Sequence, residues 1–280
     1  MKSFKDRYDI TGRVALITGG AGLLGVKHAE AIAEIGGIAV LLDVDEKKAE
    51  TEAAAIKDYY KINTLWYKCD ITTYSDVYKA FKQVLAELGR IDILINNAAI
   101  DSKVEDKDTE NNTSRFENFD LNNWQNEFNV GVTGLFICSC IIGSYMVEQG
   151  HGVIINIGSD LSFIAPNQNI YSTSETAEDE QPVKPFSYSV IKHSILGLSK
   201  YFSEKFAPSG VRVNLLAPGG VWNNKLPNEF VNELTDHIPL GRMAEKDDYK
   251  GSIQFLCSDA SSYMTGTNLL VDGGRTTGSV

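Results

Sequence analysis

The 280-residue chain has little that would tie it to a nucleic acid, a membrane or a metal. Basic residues are outnumbered 26 to 37, leaving a net charge of −11. Such an excess of carboxylates repels phosphate backbones and anionic lipid heads, so neither is expected as a partner. Met1 to Tyr8 is polar and charged, without the apolar segment of a signal peptide. No apolar run is read as approaching the ~20 residues of a membrane helix. The four cysteines, Cys69, Cys138, Cys140 and Cys257, match no metal-ligand spacing and imply no disulfide framework. Cys138 and Cys140 fall in a helical pattern, where small buried side chains suit. A reducing, cytosolic setting is expected. His28, His151, His193 and His237 are scattered singly, which argues against metal ligation. Prolines number only seven, and nothing in the composition suggests disorder, collagen or a coiled coil.

What the chain does have is a steady alternation of short apolar runs and helical patterns. The runs read as strands are Val14–Thr18, Ile38–Leu42, Thr64–Lys68, Ile91–Ile95, Gly152–Ile157, Val211–Leu216 and Asn268–Val271. Helical patterns cover about 22–35, 45–60, 75–88, 124–148 and 186–206. Strands separated by single helices pair in parallel through right-handed crossovers. The expected fold is therefore α/β, a doubly wound parallel sheet of about seven strands in one domain spanning residues 1–280. Two long polar segments interrupt the rhythm. Asp101 to Asp120 is rich in Asp, Glu, Asn and Thr, and Leu161 to Pro185 carries Glu175, Glu178, Asp179 and Glu180. Both follow carboxyl ends of expected strands, the ligand side of such a sheet, and are read as lids.

Gly20-Ala-Gly22-Leu23-Leu24-Gly25 fits G-x-G-x-x-G, and it follows a strand and opens a helix. There a glycine allows a positive φ, and a bare backbone lets a pyrophosphate reach the helix N-terminus. Asp43 closes the second strand 18 residues after Gly25. Its carboxylate suits both ribose hydroxyls of an adenosine and repels a 2′-phosphate, and no arginine adjoins it, so NAD is expected over NADP. Asp70-Ile71 ends the third strand, where the adenine would lie. Asn96-Asn97-Ala98-Ala99 ends the fourth, with small residues where backbone must approach the cofactor.

Tyr188 and Lys192 stand at i and i+4 in a helical pattern, on one face and one turn apart. Ionising a phenol of pKa near 10 at pH 7 costs about 4 kcal/mol. A nearby ammonium in a shielded site removes part of that cost, so the tyrosine can exchange a proton with a substrate oxygen. Tyr171 is the other candidate, but Glu175 four residues on would raise its pKa.

Taken together, the order and register of these features resemble the short-chain dehydrogenase/reductase family from about Gly12 to Gly274. The matching elements are Thr18-Gly19 with the glycine loop, Asp70, Asn-Asn-Ala, Asn129-Val-Gly131, Ser159 after a strand, Tyr188 with Lys192, Pro218-Gly219, and Val271-Asp-Gly-Gly274. The resemblance implies a Rossmann sheet and a nicotinamide cofactor. It makes Tyr188 the general acid/base, Ser159 a hydrogen-bond partner of the substrate oxygen, and Lys192 both a tuner of the tyrosine and a ligand of the nicotinamide ribose. It makes Asn129 the residue that distorts its helix and holds a water linking Lys192 to solvent. The cofactor would touch Gly19, Gly22, Leu23, Leu24, Gly25, Asp43, Asp70, Ile71, Asn97, Ala98, Ala99, Tyr188, Lys192, Pro218 and Gly219, with Val221 at the carboxamide. Compact members form dimers or tetramers through the two long helices, and a homo-oligomer is expected here.

Four features depart from the family pattern. Thr-Gly-x-x-Gly-x-x-Gly is the spacing of the family's longer branch, although the ending Val-Asp-Gly-Gly belongs to the compact one. Ala99 replaces the usual glycine after Asn-Asn-Ala. Ser159 and Tyr188 are 29 residues apart, with the acidic segment between them. Asn223 stands near the usual threonine. The segment from Trp222 to Leu240 matches the family's substrate loop. With the two insertions it gives a polar rim of Asn111, Asn112, Arg115, Lys184, Asn223, Asn224 and Lys225, suited to a small polar substrate such as a sugar or polyol. The expectation is an NAD-dependent oxidoreductase. Its rivals are a nucleotide-sugar epimerase or dehydratase holding NAD tightly, and a non-catalytic NAD-binding scaffold.

Overall fold

A computed structural model describes residues 3–100, 114–172, 177 and 181–278. After a short capped helix, α1 (Phe4–Tyr8), strands and helices alternate: β1 (Val14–Thr18), α2 (Leu23–Glu34), β2 (Ile38–Asp43), α3 (Glu46–Tyr60), β3 (Thr64–Lys68), α4 (Tyr74–Leu88) and β4 (Ile93–Asn96). The second half brings α5 (Leu121–Phe128), α6 (Leu135–Gln149), β5 (Gly152–Ile157) and α7 (Phe186–Phe206). It closes with β6 (Val211–Pro218), α8 (Asn228–Asp236), α9 (Lys250–Cys257) and β7 (Asn268–Val271).

The strands form one sheet in the order β3-β2-β1-β4-β5-β6-β7, parallel throughout. This is the doubly wound α/β fold. Its order reverses between β1 and β4, where Ile17 pairs with Leu41 on one side and Ile95 on the other. At such a switch point the crossovers leave in opposite directions and open a crevice at the carboxyl ends. Alternation along each strand feeds both faces. Val14 and Leu16 pack with Ile142 of α6 and Phe206 of α7, whereas Ala15 and Ile17 pack with Ile32 of α2 and Ile253 of α9.

Three expectations need correction. The pattern read as one helix over 124–148 divides into α5, a π-helical stretch at Asn129–Gly134, and α6. Leu121–Gln149 as a whole is long and apolar enough to cross a membrane by length and composition, with mean hydropathy 1.9 over an 18-residue window. Half of that window is buried, and Leu135, Cys138, Ile142 and Met146 face the core, so its apolarity serves packing on the sheet. The Trp222–Leu240 segment, read as a loop, contains α8, whose Leu234 packs with Ile170, Ile238 and Met243. Residues 101–113 of the first insertion, and Glu175, Glu178, Asp179 and Glu180 of the second, lie outside the described residues.

Candidate active site

The glycine loop joins β1 to α2 at the switch point. Of the glycines in it only Gly19 has a positive φ, +59°, and a Cβ there would also meet Ala98 Cα at 2.9 Å. The others serve close approach: a Cβ on Gly25 would collide with the Gly19 carbonyl oxygen, and one on Gly20 would sit 2.8 Å from Leu41 Cα. Gly22 is the N-cap of α2 and supplies no side-chain cap. The N–H groups that open α2, at Leu23, Leu24 and Gly25, therefore suit an external anion, and the bare loop beside them is a cradle any larger residue would fill. The residues present fit a dinucleotide pyrophosphate.

Thr18 and Asn97 staple this loop to β4. Thr18 Oγ1 accepts the N–H groups of Asn97 and Ala98, each at 3.0 Å, and the Asn97 amide donates to the Thr18 and Gly19 carbonyls at 3.0 Å. Asn97 thus spends its amide on the loop, leaving backbone and the small Ala98 and Ala99 to line the crevice. Asp43, at the end of β2, accepts from Ala21 N–H through one oxygen and Asp45 N–H through the other, both at 3.0 Å. Its carboxylate lies directly beside the glycine turn. Asp70 takes the Thr72 N–H and hydroxyl at 2.9 and 2.7 Å, and Ile71 is buried against Gly134.

The second group gathers at the carboxyl ends of β5 and β6. Ser159 lies two residues beyond β5 in the turn before Asp160–Ser162, which packs on α7. Lys192 on α7 is buried, and its Nζ donates to the Ile157 carbonyl at 3.0 Å. Tyr188, half-buried one turn earlier, has its ring centroid 5.6 Å from that ammonium. Lys184 Nζ lies 4.1 Å from the same centroid, so two cations flank the ring. Tyr171 is elsewhere, tilted against Phe230 of α8 at 5.3 Å. Asn129 opens the π-helical stretch, and its Oδ1 accepts from Gln125 at 2.9 Å. Pro218 ends β6. Gly219 follows, its N–H donating to the Val271 carbonyl and its own carbonyl accepting the Tyr249 hydroxyl. Val221 bridges to Ala244.

Of the expected polar rim, Asn111 and Asn112 lie outside the described residues. Arg115 donates to the Gln181 carbonyl at 3.3 Å, joining the two inserted segments, and pairs with Glu117. Asn223 accepts from Lys225 N–H in a turn. Two features escaped the sequence reading. A buried ion pair joins Asp160 to Arg275, which stand 115 residues apart, beyond the reach of any local pattern. Asn96 donates to Ser139 and Asn156, and Asn156 donates to Ser199, a buried amide chain tying β4 and β5 to α6 and α7. A pair of asparagines in otherwise apolar strand runs was the available signal for that chain. Among the described residues no group of three or more His, Cys, Asp or Glu is arranged to hold a metal ion.

Comparison with known proteins gives consistent matches over nearly the whole chain. The family model for short chain dehydrogenases matches residues 13–180, and that described as enoyl-(acyl carrier protein) reductase matches 173–276. The 2-dehydro-3-deoxy-D-gluconate 5-dehydrogenase of Bacillus subtilis is 33% identical over 277 residues, covering 96% of each chain. The D-threitol dehydrogenase of Mycolicibacterium smegmatis is 28% identical, covering 96% of this chain and 95% of its own. Among solved structures, a gluconate 5-dehydrogenase from Burkholderia cenocepacia in complex with NADP and tartrate superposes with a TM-score of 0.85 at 29% identity, covering 99% of this chain and all of that one.

Proposed function

The chain belongs to the short-chain dehydrogenase family of oxidoreductases, and on that premise we propose that it interconverts a carbinol and a carbonyl on a small sugar, sugar acid or polyol, with NAD as preferred cofactor. The observation that carries this reading is the fixed position of Lys192. Its ammonium is buried and tied to the carbonyl of Ile157, two residues before Ser159, and the lysine stands one helical turn from Tyr188. A cation so held favours the phenolate over the phenol. Tyr188 then takes the proton from a substrate hydroxyl, or returns it to a developing alkoxide, and Ser159 meets the same oxygen. Asn129, where the helix is unwound, links Lys192 to solvent through a water. The bound nicotinamide would supply or accept the hydride at the substrate carbon.

Asp43 supports NAD. Its carboxylate beside the glycine turn suits two free ribose hydroxyls and opposes a 2′-phosphate, although the solved gluconate dehydrogenase carries NADP. The names of the three relatives, two of gluconate type and one of threitol, support a polyhydroxylated substrate. The amides and cations of the rim, Arg115, Lys184, Asn223, Asn224 and Lys225, suit such a molecule.

The test is a screen of polyols, sugar acids and sugar phosphates with NAD and with NADP, read by absorbance of the reduced cofactor. One reduced cofactor should form per carbonyl produced, with kcat/KM for NAD exceeding that for NADP by about tenfold or more. Conversion of a sugar without net cofactor reduction would favour an epimerase instead, and preference for NADP would overturn the reading of Asp43. We also propose a homo-oligomer built through α6 and α7, supported by exposed Phe136, Val190 and Tyr201 on those helices. Light scattering should give a multiple of 30.8 kDa. A monomer at micromolar concentration would refute it.

A further inference from the structure

Among the described residues Tyr249 is the largest side chain that is fully buried, and the reaction outlined above gives it no part. It ends the 3-10 turn Lys246–Tyr249 and leads into α9. Its hydroxyl donates to the Gly219 carbonyl at 3.1 Å. Burial pushes the phenol well above its ordinary pKa, and Asp160, Asp248 and Asp272 push it the same way, so the group stays a donor at any working pH. Both chain neighbours of Tyr249 are tied down. Asp248 takes Arg242 through both carboxylate oxygens, at 2.6 and 3.2 Å, and the Glu245 N–H at 2.8 Å. Lys250 pairs with Glu30 at 2.9 Å and Glu34 at 2.5 Å, both on α2, the helix that opens at the glycine loop.

The loop that receives this hydroxyl is Pro218-Gly219-Gly220-Val221. Close approach demands its two glycines: a Cβ on Gly219 would stand 2.8 Å from Asp272 Cα, and one on Gly220 2.8 Å from Leu234 Cδ2. Bare glycines leave a backbone more freedom than any other residue, so their peptide planes must be fixed from outside. The Gly219 N–H donates to the Val271 carbonyl at 3.0 Å, and the Gly220 carbonyl accepts the Ala244 N–H at 3.0 Å. Between them lies the peptide that carries the Gly219 carbonyl, and the Tyr249 hydroxyl holds it. A trans peptide is planar, so fixing that oxygen fixes the plane into Gly220 and the direction in which the chain enters Val221. A phenylalanine would fill nearly the same space in the core, so the oxygen has a use besides packing.

We infer that Tyr249 is a positioning residue for the nicotinamide half of the cofactor: its hydroxyl holds the Gly219–Gly220 peptide and thereby sets Val221 against the carboxamide. The inference rests on the function proposed above, with a nicotinamide dinucleotide as cofactor and Val221 at its carboxamide. Through Lys250 the same short turn is anchored on α2, so one segment braces both the pyrophosphate end and the nicotinamide end of the site.

Isothermal titration calorimetry of the full chain tests it, with NAD and with ADP-ribose, the same molecule without its nicotinamide. Tyr249→Phe keeps the ring and removes the hydroxyl. Val84→Ala, on α4 and across the sheet from α9, is the control for lost stability. Both variants should lower Tm, the first through an unpaired carbonyl and the second through a cavity. In Tyr249→Phe the Kd for NAD should rise about fivefold, while that for ADP-ribose stays within about twofold of wild type. Val84→Ala should leave the ratio of the two constants at its wild-type value. If both constants rise by one factor in Tyr249→Phe, or neither rises, the hydroxyl serves folding alone and the inference is overturned. A ratio that moves as far in Val84→Ala as in Tyr249→Phe overturns it too, because the ratio would then report stability. If the wild type binds neither NAD nor ADP-ribose, the proposed function fails first and takes the inference with it. Wild-type binding of NAD with an unaltered ratio in Tyr249→Phe overturns the inference alone.

Discussion

His28 shows how a single side chain can tie the cofactor loop to pH. It lies on the buried face of α2, and neither ring nitrogen makes a hydrogen bond. Burial pushes its pKa from 6.5 down to about 3, and the nearby Asn97 amide offsets this only in part. In the unfolded chain the ring takes up a proton below pH 6.5, whereas in the folded chain it stays neutral to about pH 3. Unfolding therefore binds a proton across that window. The contribution of neutral His28 is complete above pH 6.5 and drains away as pH falls, by about 1.4 kcal/mol per unit. Urea unfolding of wild type and His28→Leu at pH 7 and pH 5 measures the effect. The wild type should lose about 2 kcal/mol more than the variant over that interval. Equal losses would show that His28 is not the source. Nothing in the sequence marks this histidine, because its environment is made by residues of α2 and β4 that only the fold brings together. Tyr188 and Lys192 are the opposite case. Four residues of helix fix their relation, so the pair is readable from spacing alone, while Asp160 and Arg275 meet only through the whole sheet.

At the level of elements, the central strands were readable because both faces of a parallel sheet are buried there, so β1, β2 and β4 are nearly continuous apolar runs. The long helix was not fully readable. Its apolar pattern continues through Asn129–Gly134, yet the backbone there widens to π geometry. Such bulges often mark functional sites, and they leave little trace in hydrophobic period. Gly131 in that stretch faces Ile191 of α7, and a Cβ would strike the isoleucine γ2 methyl. The contact sits one residue from Lys192, so it sets how closely α7 approaches the unwound turn. Gly131→Ala should destabilise by about 1–3 kcal/mol through overpacking and should lower kcat. Adding Ile191→Ala should cost less than the sum of the two single changes, because both act on one contact. Strict additivity in urea unfolding would rule out the contact as the cause. The short helices α8 and α9 escaped the sequence reading for a plainer reason. Nine and eight residues give too few turns for an apolar face to declare itself against a polar loop.

For the molecule as a whole, the strand order puts everything chemical at one edge. The glycine turn after β1, Asp43 after β2, Asn97 after β4, Ser159 after β5 and Gly219 after β6 all lie at carboxyl ends of strands around the reversal in the sheet. The two inserted segments follow β4 and β5, and their described parts meet through Arg115 and the Gln181 carbonyl. Of the cations near that edge, Arg275 is paired with Asp160 and Lys192 is tied to the Ile157 carbonyl. The proton transfer proposed for Tyr188 is the feature from which the remaining assignments follow. Its most direct test is the Tyr188→Phe variant, compared with wild type for turnover and for NAD binding by fluorescence quenching. Turnover should fall by about a hundredfold or more, with the dissociation constant for NAD unchanged. Retained turnover would contradict the account.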